Sequence, residues 1–329
     1  MAGNSNLTDS RRNKQNEFYT QLSTIEDELR HYRKYFKGKV IFCNADDPAI
    51  GEDGQNHYGD GLGAFESQFF HYFRLNFVEL GIKKLITTHF VPTGKSYKFE
   101  IVSRDNGNQI GLPDYIRTPL EGNGDFASEE CVKLLDEADI VITNPPFSLM
   151  KYYLPLLIKN KKDFIILGNT NHITIKELFP FFLNGDVWLG HNSGHFWFMV
   201  PDDYEPKATD YKQDESGQKW RRMGNICWFT NLDIEKRHQP LELFRNYNPV
   251  DYPSYEEFDG INVNNTIDIP CDYYGIIGVP VSYLAYHCKE QFRLIGLDHP
   301  EKWLGHGPLL NGKNKYRRLL IQRIDVPEV

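Results

Sequence analysis

The sequence has few cysteines, and none stands in a spacing typical of metal sites. The five are an odd number, far apart, without a C-x-x-C pair or a paired histidine spacing: Cys43, Cys131, Cys227, Cys271 and Cys288. A disulfide framework needs an even set of cysteines, and a structural zinc site needs closely spaced ligands. We therefore expect neither, and no metal ion.

Long hydrophobic runs are also missing. No stretch approaches the ~20 consecutive apolar residues of a membrane span, and the polar start MAGNSNLTDSRRNKQNE has no apolar core of a signal peptide. With 329 residues, 40% of them apolar, the chain has ample material for a buried core. These features predict a soluble, cytoplasmic protein without a membrane partner.

An excess of positive charge is absent, since the net charge is -8. An acidic average argues against a polyanionic partner, but nucleic-acid binding depends on a basic surface and not on the average. One candidate surface is a C-terminal run without any acid: Lys313, Lys315, Arg317, Arg318 and Arg323. The alternative interpretation is that this run is only a solvated face.

Apolar segments of strand type alternate with segments of helical spacing in the first half of the chain. The strand candidates are residues 39–43, 84–90, 140–143 and 163–167, and a helix is predicted over 65–80, ending at Gly81. This alternation predicts an α/β fold with a mostly parallel, doubly wound sheet. Aromatic segments at 187–190, 195–201 and 226–230 predict an antiparallel hairpin at the sheet edge. Beyond about residue 235 the sequence predicts an irregular module.

The most informative motif is the junction where the strand 140–143 meets Asn144, Pro145, Pro146 and Phe147. Two prolines prevent both a longer strand and an immediate helix, so the segment must form a rigid loop. Such a loop offers the Asn144 amide oxygen, the Pro145 carbonyl and the flat face of Phe147. Two acceptors beside an aromatic ring suit a planar base with an exocyclic amine, adenine above all. A bare N-P-P triplet is otherwise a tight turn, but the preceding strand and following helical pattern favour the site.

Two further loops carry candidate ligand-binding residues. Asp46 and Asp47 follow the first strand, where they could bind ribose hydroxyls or an ammonium group, or else cap the next turn. Asp125 and Phe126 end the sequence GNGDF, which suits a purine but is also compatible with a plain turn. Near the N-terminus, EFYT brings Phe18 and Tyr19 before a helix, where they could also form a hydrophobic staple.

Together these motifs resemble the EcoRI-type adenine-specific DNA methyltransferases. The resemblance rests on EFYT, CNADDP, GNGDF and TNPPFSL, and continues through WFTNLD, DGINVN, DIPCDYYGIIGVPVSYL and LNGKNKYRRLLI in order along nearly the whole chain. It implies a Rossmann-like fold that binds S-adenosylmethionine (SAM) over residues 1–235 and a target-recognition region over 236–329. The implied reaction is methyl transfer to N6 of an adenine that is flipped out of double-stranded DNA.

The resemblance also implies roles for individual residues. Asn144, Pro145, Pro146 and Phe147 would hold the target base. The residues implied to bind SAM are Phe18, Tyr19, Thr20, Asn44, Asp46, Asp47, Asp125 and Phe126. The second strand departs from most SAM folds, because Thr87, Thr88 and His89 stand where an acid usually binds ribose. The glycine-rich segment 51–63 is also longer than the family norm.

We expect a monomer of bacterial or phage origin, from a restriction-modification or phage setting. One alternative is a DNA- or SAM-binding protein without turnover, which the missing ribose acid suggests, but the intact NPPF favours an enzyme. A second alternative is RNA adenine methylation, which the C-terminal motifs disfavour.

Overall fold

The computed structural model describes residues 19–46, 67–104, 113–200, 210–298, 309–314 and 317–325. These residues form two compact units, one within Met1–Gly168 and Asn192–Leu232 and the other within Asn169–His191 and Asp233–Val329. The second unit thus takes residues 169–191 from the middle of the chain. The predicted domain boundary at residue 235 stays a prediction. Among the described helices, none is long and apolar enough to cross a membrane.

A large mixed sheet dominates the first unit. Its strands follow the order β1-β8-β10-β7-β6-β2-β3-β4-β5, with β9 paired to β10. The strands are β1 (Tyr19–Thr20), β2 (Val40–Cys43), β3 (Lys84–Thr88), β4 (Tyr97–Val102), β5 (Asp114–Pro119), β6 (Ile140–Thr143), β7 (Asp163–Asn169), β8 (Trp188–Met199), β9 (Tyr211–Gln213) and β10 (Lys219–Thr230). The helices are α1 (Leu22–Leu29), α2 (Gln68–Asn76), α3 (Glu129–Glu137) and α4 (Met150–Lys159).

The centre of this sheet is parallel and buried. β2 pairs in parallel with β3 on one side and with β6 on the other, and β6 pairs in parallel with β7. Every residue of β2 and β6 is buried, as expected for apolar strands covered on both faces. Because strand order reverses at β2, the carboxyl ends of β2 and β6 border the crevice where such sheets bind ligands.

Local sequence explains where the helices beside this crevice begin. Ser67 caps α2, since its hydroxyl accepts hydrogen bonds from the N–H groups of Phe69 and Phe70. Ser128 caps α3 by accepting from the N–H of Cys131. Helix α4 continues through Pro155.

The second unit contains a smaller sheet where the sequence predicted only irregular structure. Its order is β11-β12-β16-β13, and a separate hairpin pairs β14 with β15. The elements are α5 (Phe179–Leu183), β11 (Gly260–Asn262), β12 (Ile276–Pro280), β13 (Phe292–Leu297), β14 (Leu309–Leu310), β15 (Lys313–Asn314) and β16 (Arg318–Arg323). The strands have at most six residues and include glycine or proline in β11, β12 and β13, which hides their periodicity.

Candidate active site

The loop after β6 holds Asn144 against the N-terminal strand. The Asn144 amide nitrogen lies 3.3 Å from the Thr20 hydroxyl, to which it donates a hydrogen bond. Thr20 is buried because β1 pairs with β8, where Thr20 lies opposite Phe198. Since this contact uses the donor end of the amide, the oxygen end of Asn144 is the part suited to accept from a ligand.

The rest of the NPPF motif differs in exposure from residue to residue. Pro145 is buried, Pro146 is exposed and Phe147 is half-buried. Phe147 opens a short helical turn, and the N–H of Leu149 closes it by donating to the Pro146 carbonyl at 2.9 Å. The motif is therefore a turn that leads into α4. The partly exposed ring of Phe147 follows Asn144 by three residues.

Asp46 connects the carboxyl ends of three strands. Its carboxylate accepts a hydrogen bond from the Thr143 hydroxyl at 2.6 Å and another from the Ser67 hydroxyl at 2.5 Å. Its backbone N–H donates to the Thr88 carbonyl at 2.9 Å. Asp46 is only 5% exposed. Thr143 immediately precedes Asn144, so Asp46 fixes the strand end from which the NPPF loop departs.

Tyr153 joins two of the predicted ligand-binding loops. Its phenol donates a hydrogen bond to the Asn44 amide oxygen, and the Phe126 ring meets its ring edge-on with centroids 5.1 Å apart. Burial raises the pKa of the Tyr153 phenol well above its ordinary value, so the group stays protonated and remains a donor. Tyr153 lies on α4 among apolar residues, and no sequence motif marks it.

The GNGDF loop packs on the end of β3. Gly124 has a φ of +79°, and a Cβ there would lie 2.0 Å from the His89 carbonyl oxygen, so only glycine fits. The following Asp125 is exposed, and its carboxylate accepts from the Ala127 N–H at 2.9 Å. This contact is the turn-forming alternative considered from the sequence, although it leaves further acceptor capacity on the carboxylate.

The structure thus brings five predicted residues into one network at the carboxyl ends of β2, β3 and β6, made of three groups of contacts that the loops after β2 and β6 connect: Thr20, Asn44, Asp46, Phe126 and Asn144. Phe18 and Asp47 lie outside the described residues, as does the glycine-rich segment 51–63, and for Tyr19 only the backbone is described. The network also includes Ser67, Thr143 and Tyr153, which no short motif marked.

The predicted DNA-binding residues of the second unit fall into different environments. Lys313 is exposed, and Lys315 lies outside the described residues. Arg317 is exposed and donates to the Thr174 carbonyl at 2.6 Å. Arg318 is 8% exposed, and its guanidinium donates to Asn262. Arg323 donates to Asp325 and to the Cys271 carbonyl.

These contacts place the residues of the C-terminal run in different environments. Arg318 is buried within the unit, and the Arg323 side chain is only 12% exposed beside its carboxylate partner. Phosphate binding stays a prediction for all five residues of the run.

The described residues contain no cluster of three or more histidine, cysteine, aspartate or glutamate side chains arranged to hold a metal ion.

Comparison with known proteins gives the family of the chain. The family model of the adenine-specific methyltransferase EcoRI matches residues 6–323. The chain is 40% identical over 338 residues to the Type II methyltransferase M.EcoRI of Escherichia coli, covering 98% of this chain and 97% of that protein. No solved structure matches the chain.

Two mycoplasma proteins are also similar. The Type II methyltransferase M.MgeORF184P of Mycoplasma genitalium is 33% identical, over 94% of this chain and 96% of that protein. The Type II methyltransferase M.MpnI of Mycoplasma pneumoniae is also 33% identical, over 94% of this chain and 95% of that protein. Since the family model and all three relatives span nearly the whole chain, the chain belongs to the EcoRI family of adenine-specific methyltransferases.

Proposed function

We propose that this protein transfers a methyl group from SAM to the N6 amine of an adenine at a specific site in double-stranded DNA. The observation that carries the proposal is the position of Asn144 and Pro145 at the carboxyl end of β6, one residue beyond the Asp46–Thr143 hydrogen bond. The names of the relatives, all Type II methyltransferases, support a role as the modification enzyme of a restriction-modification system.

The proposed fold of the first unit is the Rossmann-like fold of SAM-dependent methyltransferases. Its support is the parallel pairing of β3, β2, β6 and β7 and the reversal of strand order at β2. Both polar loops of the network leave the sheet at the crevice that this reversal creates.

The residues around this crevice fit SAM. Thr88 ends β3, is 1% exposed, and its buried hydroxyl has no hydrogen-bond partner among the described residues. A buried hydroxyl without a partner is costly, and a ribose hydroxyl would satisfy it. Phe126 supplies an aromatic edge for an adenine ring, and Asp125 an exposed acceptor. SAM supplies an electrophilic methyl group on a sulfonium sulfur when it is bound.

The NPPF residues would act on the target base. The Asn144 amide oxygen and the Pro145 carbonyl accept the two N6 hydrogens, while Phe147 stacks on the purine. These hydrogen bonds pull the amine away from planarity and direct its lone pair toward the methyl carbon. Methyl transfer would form the N6–carbon bond as the sulfur–methyl bond of SAM breaks, leaving neutral S-adenosylhomocysteine and a positive charge on N6. One held N6 hydrogen would then be released as a proton to water. Fixed acceptors stabilise that developing charge, so no strong base is required.

Asp46 would act by position. Its two hydroxyl partners tie α2 and β6 to the end of β2, so the NPPF loop and the SAM-binding loop keep a fixed distance. Holding the reacting groups in this way is a large part of the catalysis expected for a transfer between two bound ligands.

The test is to express the protein in cells that lack adenine methylation and to sequence their DNA with a method that detects N6-methyladenine. We expect methylation at one recurring sequence, and none with Asn144→Ala expressed at the same level. Unmethylated DNA with the wild-type protein, or methylation that persists with Asn144→Ala, would overturn the proposal.

A further inference from the structure

A cleft in the second unit is lined by several positively charged residues. It has a volume of about 470 Å³, and none of the described residues that line it is acidic. Four lining residues carry a permanent positive charge: Lys236, Arg237, Lys289 and Arg293. In a chain whose net charge is -8, this concentration of cations is a local exception. A concave cationic surface attracts anions more strongly than a flat one.

Arg237 is fixed in place before any ligand binds. Its guanidinium lies 3.4 Å from the centroid of the Trp188 ring, and it donates to the Asp233 carboxylate at 2.7 Å. Stacking and the ion pair hold the planar group in one orientation, yet a guanidinium has five N–H donors. Donors beyond the Asp233 contact can therefore serve a phosphate without a large entropy cost.

Arg293 and Lys289 keep most of their charge available to a ligand. Arg293 is exposed and donates twice to the neutral amide oxygen of Gln322, at 3.1 Å and 2.5 Å. Lys289 lies 3.8 Å from Glu290, and about half of each side chain is exposed, so water screens this pair.

The floor of the cleft is apolar and buried. Phe182 of α5, Leu284 and Phe292 of β13 line it and are each less than 10% exposed. Apolar contacts of this kind suit the sugar ring that lies between successive phosphates. The cations around the floor come from two segments that are distant in sequence, residues 236–237 and residues 289 and 293, so the cleft exists only in the folded unit.

We propose that this cleft binds the phosphodiester backbone of the duplex substrate, an inference that rests on the proposed DNA methylation. Duplex DNA carries a phosphate at every nucleotide, and each phosphate neutralised by a Lys or Arg releases condensed counterions. The cleft would thus supply affinity without reading the base sequence. No sequence motif marked these residues, since none of them belongs to the C-terminal basic run.

The experiment measures affinity for a mixed-sequence duplex across a series of salt concentrations. SAM is left out, so binding is measured without turnover. In the double variant Lys289→Gln/Arg293→Gln, two phosphate contacts are lost, and we expect the slope of log affinity against log salt to flatten by about 1.8. Lys289→Gln alone should flatten it by about 0.9.

Two control proteins make the result specific. The double variant Arg104→Gln/Lys133→Gln removes the same charge from exposed ion pairs of the first unit, and it should keep the wild-type slope. The double variant Lys289→Arg/Arg293→Lys keeps the charge of the cleft and should also keep the slope. Circular dichroism of every variant verifies folding.

An unchanged slope in Lys289→Gln/Arg293→Gln would overturn the inference, and so would equal flattening in the first-unit control. Failure of the proposed function is distinguishable, because it appears as the absence of N6-methyladenine with the wild-type protein, whatever the slope.

Discussion

The two units differ in how they use polar and charged side chains. In the first unit, Asp46 and Thr143 are buried and hydrogen-bonded at the strand ends, with a carboxylate matched to hydroxyl donors. In the second unit, Arg293 is exposed at a cleft and donates to the neutral amide oxygen of Gln322. Buried groups that are hydrogen-bonded to each other fix the geometry of a site, whereas exposed charges attract a polyanion. The first unit is thus suited to chemistry and the second to affinity, and substitutions in each unit separate these roles.

The largest effect is expected at Asn144. Replacing it by alanine removes one of two acceptors for the amine that becomes charged, which should cost roughly 3 kcal/mol of barrier, a factor of at least ~100. Single-turnover methyl transfer with saturating DNA and SAM measures this loss. The salt slope of DNA binding should not change, since Asn144 carries no charge. Turnover within a few-fold of wild type would contradict the role of Asn144.

Asp46 should affect both SAM binding and stability. Asp46→Ala leaves the buried hydroxyls of Ser67 and Thr143 without their acceptor, at a cost of about 1–3 kcal/mol each. Asp46→Asn keeps one acceptor oxygen and should cost less. Calorimetry should show weaker SAM binding in both variants. Denaturant unfolding should show that Asp46→Ala is less stable than Asp46→Asn. If neither variant alters SAM affinity, Asp46 is purely structural.

The neighbouring arginines of β16 give a matched pair in the second unit. Arg318→Ala removes buried, charged hydrogen bonds and should destabilise the unit by about 2 kcal/mol, measured by hydrogen exchange of the β12 and β16 amides. Arg317→Ala leaves those amides unchanged and should flatten the salt slope by at most about 0.9. The reverse pattern would show that the surface and interior roles have been assigned to the wrong residues.

His287 makes the second unit sensitive to acid. Burial, with a contribution from nearby Arg237, lowers its pKa from 6.5 to about 4. The unfolded chain then binds more protons than the native one between these values, so the stability contributed by neutral His287 is lost as pH falls from about 6.5 toward 4. At pH 5 this loss amounts to about 2 kcal/mol.

The measurement compares wild type with His287→Gln by hydrogen exchange of the β12 and β16 amides at pH 7 and pH 5. Between pH 7 and pH 5, the free energy of unfolding should fall by about 2 kcal/mol less in the variant than in wild type. Asp298 titrates in the opposite sense, since burial raises its pKa to about 6, but its contribution is common to both proteins. Equal pH dependence would contradict the burial of a neutral His287.

The central sheet and the core of the site could be predicted from sequence. The run Ile140–Thr143 is strand β6 as expected, because continuous apolar residues bounded by Asn and Pro leave few alternatives. Asp46 and Asn144 share one network, since parallel strands end at the same edge. Tyr153 could not be singled out, because on a helix its apolar spacing is indistinguishable from that of an ordinary core residue.

The second unit was harder to predict for two physical reasons. Its strands have two to six residues, too few for a clear period. In the run KYRRLLIQR, nothing local tells which arginine faces inward, because burial of Arg318 depends on Asn262, a partner 56 positions away. The cationic cleft likewise depends on distant segments, which only tertiary packing brings together.

The most direct test of the account is nucleoside mass spectrometry after incubating the purified protein with duplex DNA and SAM that carries an isotopically labelled methyl group. We expect labelled N6-methyldeoxyadenosine in the duplex with the wild-type protein, a signal at least ~100-fold slower to appear with Asn144→Ala, and no label in RNA of the same sequence. Label on cytosine, in RNA alone, or absent from the wild-type reaction would contradict it.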